Sequence, residues 1–344
     1  MEELQDAPYD FEIERVVKEV IEGGHRRVIL QVPDGLKVWG VRLARVIESR
    51  SGAEVYLYGD KCFGACDLGV EHARRIGATL LVHYGHTEYS LCEHIYSTSD
   101  IRVIYIPARS RIKLEDNVVE ELARFLADRG LQRPVLAAVI QHVGLLRELK
   151  AKLESKGLKP MIGSAPGLVE GQLLGCDYRV LTSVESLVDS AVVVCGGKFH
   201  ALGASLAFDK PVVQVDPYTQ RVTSMEDMRR RVLAVRYARM NEAMDARTWG
   251  VWIGVSTGQY RPSIVRLITK AIEKKGLRYA RFCSKYLSEE ELGNLDSDEI
   301  NVHVVTSCPR LPIDDLAGYR KPILTPGEAL MVLEGSLERY RFPW

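Results

Sequence analysis

The segment "RVILQVPDGL", Arg27 to Leu36, contains the unit from which the whole chain is built. Its first six residues form a mostly apolar run with the length of a buried strand, and Pro33-Asp34-Gly35 then marks a turn. The residues after this turn place apolar side chains at helical spacing, namely Leu36, Trp39, Leu43, Val46 and Ile47. A buried strand followed by an amphipathic helix predicts a parallel α/β fold.

The same unit opens again at "VLAAVI" (135–140) and at "GVWIGV" (250–255). From opening strand to closing proline, the three copies span about 77 to 83 residues. Helices near 114–129 and 225–246 are predicted to join them. We therefore predict an α/β protein with three structurally related domains in a pseudo-threefold arrangement, each a small parallel sheet flanked by helices. Their predicted bounds are 1–110, 111–222 and 223–344. One doubly wound sheet of six or seven strands is the alternative.

Charge and hydropathy exclude several classes of function. The 46 basic and 46 acidic residues give zero net charge, whereas a general nucleic-acid or anionic-membrane binder needs a basic excess. We expect neither direct nucleic-acid binding nor a membrane partner, because no run approaches the roughly 20 apolar residues that cross a bilayer. The acidic N-terminal segment does not resemble a secretion signal. Seven cysteines show no disulfide framework, so the prediction is a cytoplasmic protein with reduced thiols.

Each copy contains one cysteine in a loop beyond a predicted strand: Cys66 in "GACD", Cys176 in "LLGC" and Cys308 in "SCPR". Open parallel sheets bind ligands at the carboxyl ends of their strands, so three such domains could direct these loops to one point. Three thiolates suit a zinc site, or a [4Fe–4S] cluster in which one iron stays free to bind a substrate. The spacing alone does not separate cluster, zinc and coincidence.

The remaining cysteines have simpler interpretations. Cys195 and Cys283 end apolar strands, which is typical of small buried hydrophobic residues, and Cys92 is also expected to be structural. Cys62 stands four residues before Cys66. It could hold zinc with a later Cys or His, or it could be an unused thiol.

Several segments follow one another in the order found in one known family. They are "LQVPDGL", "GACD", "VHYGHTEY", "GQLLGC", "FHALGASLA", "VDPYT", "RYARMNEAMDARTWGV", "SCPRLPIDD" and "RKPILTP". Across nearly the whole chain they resemble the archaeal 2-(3-amino-3-carboxypropyl)histidine synthase family, which performs the first step of diphthamide biosynthesis. The resemblance implies a homodimer whose domains each give one cysteine to a [4Fe–4S] cluster. Those ligands would be Cys66, Cys176 and Cys308, with Cys62 outside the set.

The resemblance also implies a reaction. The reduced cluster would cleave the bond from sulfur to Cγ in S-adenosylmethionine, and the 3-amino-3-carboxypropyl radical would add to C2 of a histidine in elongation factor two. An unidentified electron donor would supply the electron. Backbone N–H groups of Gly196 and Gly197 at a helix start, with Lys198, would bind the substrate's carboxylate, although these glycines could simply permit a tight turn.

Other residues near these loops receive no catalytic role. His86 and His200 follow equivalent strands, where a lone histidine is usually packed or capping. The Asp314-Asp315 pair could contact a partner or lie in a solvated turn. Two further functions remain open: a quinolinate synthase-like [4Fe–4S] dehydratase, and a non-catalytic subunit that binds zinc or relays electrons.

Overall fold

The computed structural model describes residue 4, residues 6–89 and residues 100–344. Its strands, in chain order, are β1 (Tyr9–Asp10), β2 (Arg27–Gln31), β3 (Glu54–Leu57), β4 (Leu80–Tyr84), β5 (Arg102–Ile106), β6 (Arg109–Ser110), β7 (Pro134–Ala138), β8 (Met161–Ile162), β9 (Ser190–Val194), β10 (Val212–Asp216), β11 (Arg221–Ser224), β12 (Thr248–Gly254), β13 (Arg278–Ser284), β14 (Val302–Val305) and β15 (Ile323–Leu324). Its α-helices are α1 (Ile13–Glu22), α2 (Gly40–Ser51), α3 (Val70–Arg75), α4 (Asp116–Ala127), α5 (Leu146–Ser155), α6 (Arg179–Thr182), α7 (Phe199–Ala207), α8 (Glu226–Glu242), α9 (Pro262–Lys274), α10 (Glu289–Leu295) and α11 (Pro326–Glu334).

Three separate sheets carry the fold, and they share one strand order. The orders are β3-β2-β4-β5, β8-β7-β9-β10 and β13-β12-β14-β15, so the opening strand of each unit lies between its second and third strands. These strands pair in parallel, whereas β11 adds to β10 in the antiparallel sense. The prediction of three related α/β units is thus confirmed over one doubly wound sheet. Their threefold arrangement stays a prediction.

The middle sheet has a fifth strand, because β11 pairs with β10 from Arg221 to Ser224. Strand β8 has only two residues. The predicted bounds of the three domains stay predictions. The two predicted connecting helices correspond to α4 and α8.

Apolar packing on both faces holds each sheet. Alternate residues of β2 enter different clusters, Leu30 packing with α1 and α2 while Ile29 packs with α3. All five residues of β4, β7 and β9 are buried. Each buried Val or Leu contributes about 1.5–3 kcal/mol relative to an exposed one. Helices on both faces therefore explain why these strands read as continuous apolar runs.

The helix after the opening strand differs among the units. In the first two it starts as a 3₁₀ turn, Asp34–Trp39 and Ile140–Leu145, before α2 and α5 continue it. In the third, α9 begins directly with Pro262, whose fixed φ suits the first helical position.

No helix in the described part of the chain has both the length and the apolar composition for a bilayer span.

The prediction for Cys283 was wrong, whereas that for Cys195 is confirmed. Cys195 is fully buried beyond β9, but Cys283 is exposed. Strand β13 is the edge strand of the third sheet, and none of its seven residues is fully buried. An apolar strand end therefore does not ensure burial when the strand lies at the edge. Cys92 lies outside the described residues.

A buried ion pair joins α8 to α11 in the third unit. Arg236 Nε donates to Glu328 Oε1 at 2.8 Å and Nη2 donates to Oε2 at 2.6 Å. Both side chains are almost fully buried. Arg236 also donates to the carbonyl of Pro312 at 2.7 Å, in the segment that follows Cys308. The pair therefore fixes the loop of the third predicted metal ligand.

Candidate metal centre and substrate cavity

The three predicted ligand cysteines lie in loops at the carboxyl ends of strands in three different sheets. Cys66 follows β3 and Cys176 follows β8, which are equivalent second strands. Cys308 instead follows β14, the third strand of its unit. The repeated topology therefore supplies two of the three positions, and a different loop supplies the third.

The loop of Cys66 is held by the loop between β12 and α9. Gly258 N donates to the carbonyl oxygen of Cys66 at 2.7 Å, and Gln259 Nε2 lies 3.8 Å from its sulfur. The Thr257 hydroxyl donates to the carbonyl of Leu68 at 3.2 Å. These contacts dock the first unit onto the third at the cysteine itself.

Comparable contacts dock the second unit onto the first beside Cys176. The Tyr89 hydroxyl donates to Asp177 Oδ2 at 3.1 Å. Gln172 Nε2 donates to the Thr87 hydroxyl at 2.6 Å. Thr87 and Tyr89 belong to the segment after β4, so two neighbouring loops of the first unit meet loops of the other two.

The thiols are close enough to influence one another electrostatically. Burial is the main factor that raises the pKa of Cys176, and the charges of Cys66 and Cys308 raise that pKa further. Burial also raises the pKa of Cys308, whereas N–H groups of Arg310 and Leu311 oppose this shift. The structure thus brings together sulfurs that are far apart in sequence. Cys66 and Cys176 are separated by 110 residues, and Cys176 and Cys308 by 132 residues.

These residues fit a metal cluster with three thiolate ligands. A metal ion deprotonates a thiol that coordinates it, which removes the unfavourable pKa shift. The positive charges of Arg261 and Arg310 both favour a thiolate at Cys308, and that of Arg261 favours one at Cys176. Three soft thiolates with nearby cations match an iron–sulfur cluster, which normally takes four ligands, so these three would leave one position for another ligand.

A cavity of about 640 Å³ opens next to Cys308. This volume suits a small-molecule ligand. Aromatic side chains line much of it, including Phe63, Phe199, Trp252 and Tyr286. Charged groups of both signs complete the wall: Asp34, Lys37, Asp60, Lys61, Lys285, Glu291, Arg310 and Asp315. All three units contribute to this lining.

Arg310 is the buried cation of the cavity. Its guanidinium stacks over Phe199 at 4.1 Å and pairs with Asp314, Nε lying 2.8 Å from Oδ2. Within the described chain its Nη1 has no hydrogen-bond partner. Asp314 is therefore an ion-pair partner of Arg310, and only Asp315 of the predicted acidic pair lines the cavity. The sequence analysis did not single out Arg310, although the quoted "SCPR" segment contains it.

The predicted carboxylate-binding turn lies apart from this lining. Gly197 adopts φ 66°, and its N–H donates to Asp216 Oδ2 at 3.3 Å. Lys198 is exposed at the start of α7. None of Gly196, Gly197 and Lys198 lines the cavity, whereas the next residue, Phe199, does. Their contact with S-adenosylmethionine stays a prediction.

His86 lies near the Cys66 thiol, and His200 lies near Arg310 and His86. A Cβ atom added to Gly64 would be 3.7 Å from Cys66 Sγ and 3.9 Å from His86 Nε2, so both groups flank this glycine. Burial lowers the pKa of His86 to about 4. Burial, followed by the charges of Arg310 and His86, lowers that of His200 to about 4. Both rings are therefore neutral at physiological pH.

Comparisons with known proteins agree with this arrangement. The chain is 32% identical to the 2-(3-amino-3-carboxypropyl)histidine synthase of Pyrococcus horikoshii, over 95% of this chain and 91% of that protein. It is 29% identical to subunit 1 of the human synthase of the same name, over 97% of this chain and 74% of that one.

A solved structure shares the fold. The crystal structure of Dph2 from Pyrococcus horikoshii with a 4Fe-4S cluster superposes with a TM-score of 0.84 at 29% identity, covering 97% of this chain and 94% of that one. The family model for diphthamide synthesis proteins matches residues 32–341, which include all three loop cysteines. The chain therefore belongs to the diphthamide synthesis protein family.

Proposed function

We propose that this protein transfers the 3-amino-3-carboxypropyl group of S-adenosylmethionine to C2 of a histidine in elongation factor two. Cys66, Cys176 and Cys308 would hold a [4Fe–4S] cluster for this reaction. The observation that carries the proposal is the convergence of three thiols from three sheets beside a cavity of about 640 Å³. The synthase names of the relatives and the 4Fe-4S cluster of the Dph2 structure support it.

The cavity offers a complementary group for each part of this substrate. Aromatic rings such as Phe63 and Tyr286, whose centroids lie 6.0 Å apart with an angle of 46° between the ring planes, suit an adenine ring. Carboxylates such as Asp60 and Glu291 suit the positively charged sulfonium and amino group. The guanidinium of Arg310, which lines the cavity, suits the carboxylate, because charged N–H donors form the stronger hydrogen bonds. When bound, the cluster supplies the electron that breaks the bond from sulfur to Cγ.

Orientation would then decide which bond breaks. Arg310 follows Cys308 by two residues, so a carboxylate bound to Arg310 would lie close to that thiolate. The carboxylate end of the substrate includes Cγ, whereas the adenosyl carbon lies beyond the sulfur. A fixed distance between Arg310 and the cluster ligands would therefore present Cγ rather than the adenosyl carbon.

The test is an anaerobic assay with purified protein, dithionite, S-adenosylmethionine and elongation factor two. We expect methylthioadenosine and a mass gain on the factor equal to one 3-amino-3-carboxypropyl group. A reaction without either product would contradict the proposal. A factor whose target histidine is replaced serves as the control and should gain no mass.

Arg310 gives a sharper test of the substrate site. Replacing Arg310 with Gln should weaken binding of S-adenosylmethionine by roughly 10- to 100-fold, which corresponds to the loss of a hydrogen bond to a charged group. The matched control is Arg281→Gln, which changes an exposed arginine of the same unit. Binding is measured by isothermal titration, with thermal unfolding in parallel. Equal affinities of both variants would exclude Arg310 as the carboxylate ligand.

The two alternative functions, a dehydratase and a non-catalytic subunit, can be distinguished from the transferase. Membership of the diphthamide family favours the transferase over a quinolinate synthase-like dehydratase. A non-catalytic subunit would bind one zinc and no iron, or would hold a cluster without releasing methylthioadenosine. The homodimer, the role of elongation factor two and the unidentified electron donor are carried from the family resemblance and are part of the proposal.

A further inference from the structure

A second group of metal-binding side chains lies beside the three cysteines. One donor atom each from Cys62, His83 and His86 lies within 4.8 Å of the other two. Cys62 is in the loop after β3, and both histidines are at the end of β4. Cys62 and His83 are buried, so this is not an incidental cluster of surface side chains.

The ring of His83 is held in one tautomer by its neighbour on β2. Gln31 Nε2 donates to the carbonyl of Asp67 at 2.7 Å, which fixes the side-chain amide. Gln31 Oε1 then accepts from the N–H of Gly69 at 3.1 Å and lies 3.0 Å from His83 Nδ1. Because an amide oxygen only accepts, Nδ1 carries the proton and Nε2 of the neutral ring keeps a lone pair. Metal-binding histidines usually have this kind of support on the second nitrogen.

The lone pair on His83 Nε2 faces the ring of His86. His83 Nε2 lies 2.9 Å from His86 Nδ1. Two imidazole nitrogens on one tetrahedral zinc ion are about 3.3 Å apart, given Zn–N distances of about 2.0–2.1 Å. A small adjustment therefore converts the hydrogen-bonded pair into two ligands: the proton on His86 Nδ1 moves to Nε2 of the same ring, and the thiol proton of Cys62 passes to solvent.

One oxygen of a nearby carboxylate also lacks a partner, whereas the other accepts from the Tyr286 hydroxyl at 3.5 Å. Asp67 is almost completely buried, and its Oδ2 has no hydrogen bond to any described residue. Burial, followed by the charge of Asp67, raises the pKa of Cys62 to about 12. Buried carboxylate oxygens are normally hydrogen-bonded or paired with a cation. A divalent cation bound at Cys62 would balance both the thiolate and this carboxylate.

We propose that Cys62, His83 and His86 bind one divalent transition-metal ion of the zinc class, separate from the centre at the other three cysteines. One thiolate and two imidazoles are a donor set that zinc accepts, and they leave a fourth position for water. The ion would tie the loop after β3, at Cys62, to the end of β4. This inference does not depend on the proposed transferase activity.

The test uses full-length protein freed of metal under anaerobic conditions and titrated with cobalt(II), a coloured substitute for zinc. In a Cys66→Ser, Cys176→Ser, Cys308→Ser background, we expect one cobalt per chain with a thiolate-to-cobalt absorption band. Adding Cys62→Ser or His86→Gln should weaken cobalt binding by more than about 100-fold. Adding Cys283→Ser, which removes an exposed thiol, should leave the band unchanged.

Two results would overturn the proposal. One is a folded triple-serine background that shows no such band, and the other is a band that persists with Cys62→Ser. If the triple-serine protein does not fold, the wild-type chain gives the same information. In that chain Cys62→Ser must lower the cobalt content by one ion while Cys283→Ser does not, and equal contents would equally overturn the proposal.

Discussion

Alanine at Cys66, Cys176 or Cys308 is expected to abolish the iron–sulfur cluster and, with it, the transferase reaction. Each position would supply one of only three thiolates, so its loss leaves two ligands for a cluster that normally has four. After anaerobic reconstitution, each variant should lose the cluster's visible absorbance and most of the bound iron. The rate of methylthioadenosine release should fall by roughly 100-fold or more, since even indirect changes at metal sites cost 10- to 100-fold.

The other cysteines provide matched controls for this loss. Cys62→Ala removes a buried thiol four residues from Cys66, and Cys283→Ser removes an exposed thiol of the third unit. Both should retain the cluster absorbance. Circular dichroism and size-exclusion chromatography establish that each variant is folded. A Cys176→Ala protein with wild-type iron content would refute the proposed ligand set, as would complete cluster loss in Cys283→Ser.

The sequence predicted the framework of this site because the framework is local. Opening strands such as "RVILQV" are buried on both faces and therefore read as apolar runs, and glycine and proline mark where they end. The three cysteines could be selected because each lies in a loop after a predicted strand, which is the second strand in two units and the third strand in the last. Strand order, which places the opening strand between the second and third, depends on long-range pairing and was not predicted.

The residues that the sequence analysis missed act through contacts between units. Gln259 reaches Cys66 from a loop 193 residues later in the chain. Arg310 is identified by its burial and by its place in the lining of a shared cavity, and sequence spacing carries no information on either feature. His83 lies inside an apolar strand, where its ligand geometry depends on Gln31 of the neighbouring strand. Cys283 was misjudged because edge position is also a tertiary property.

The buried pair of Arg236 and Glu328 is expected to show the largest stability effect in the described chain outside the metal centre. Arg236→Met would leave Glu328 buried without its cation, and breaking one partner of such a pair costs about 3–5 kcal/mol. This is a large share of the roughly 5–15 kcal/mol that stabilises a typical domain. Urea unfolding measures the change as a shift of the midpoint.

Two comparisons give this stability prediction its specificity. Arg230→Met, on the same helix, removes an exposed pair with Asp227 and should change stability by less than about 1 kcal/mol. The double variant Arg236→Met, Glu328→Gln should be more stable than Arg236→Met alone, because it buries no unpaired charge and keeps a side-chain oxygen that can accept from the Thr325 N–H. Arg236 also bonds the carbonyl of Pro312, so the single variant should load less iron at Cys308 even where it remains folded. A midpoint for Arg236→Met equal to that of Arg230→Met would show that the pair does not stabilise this unit.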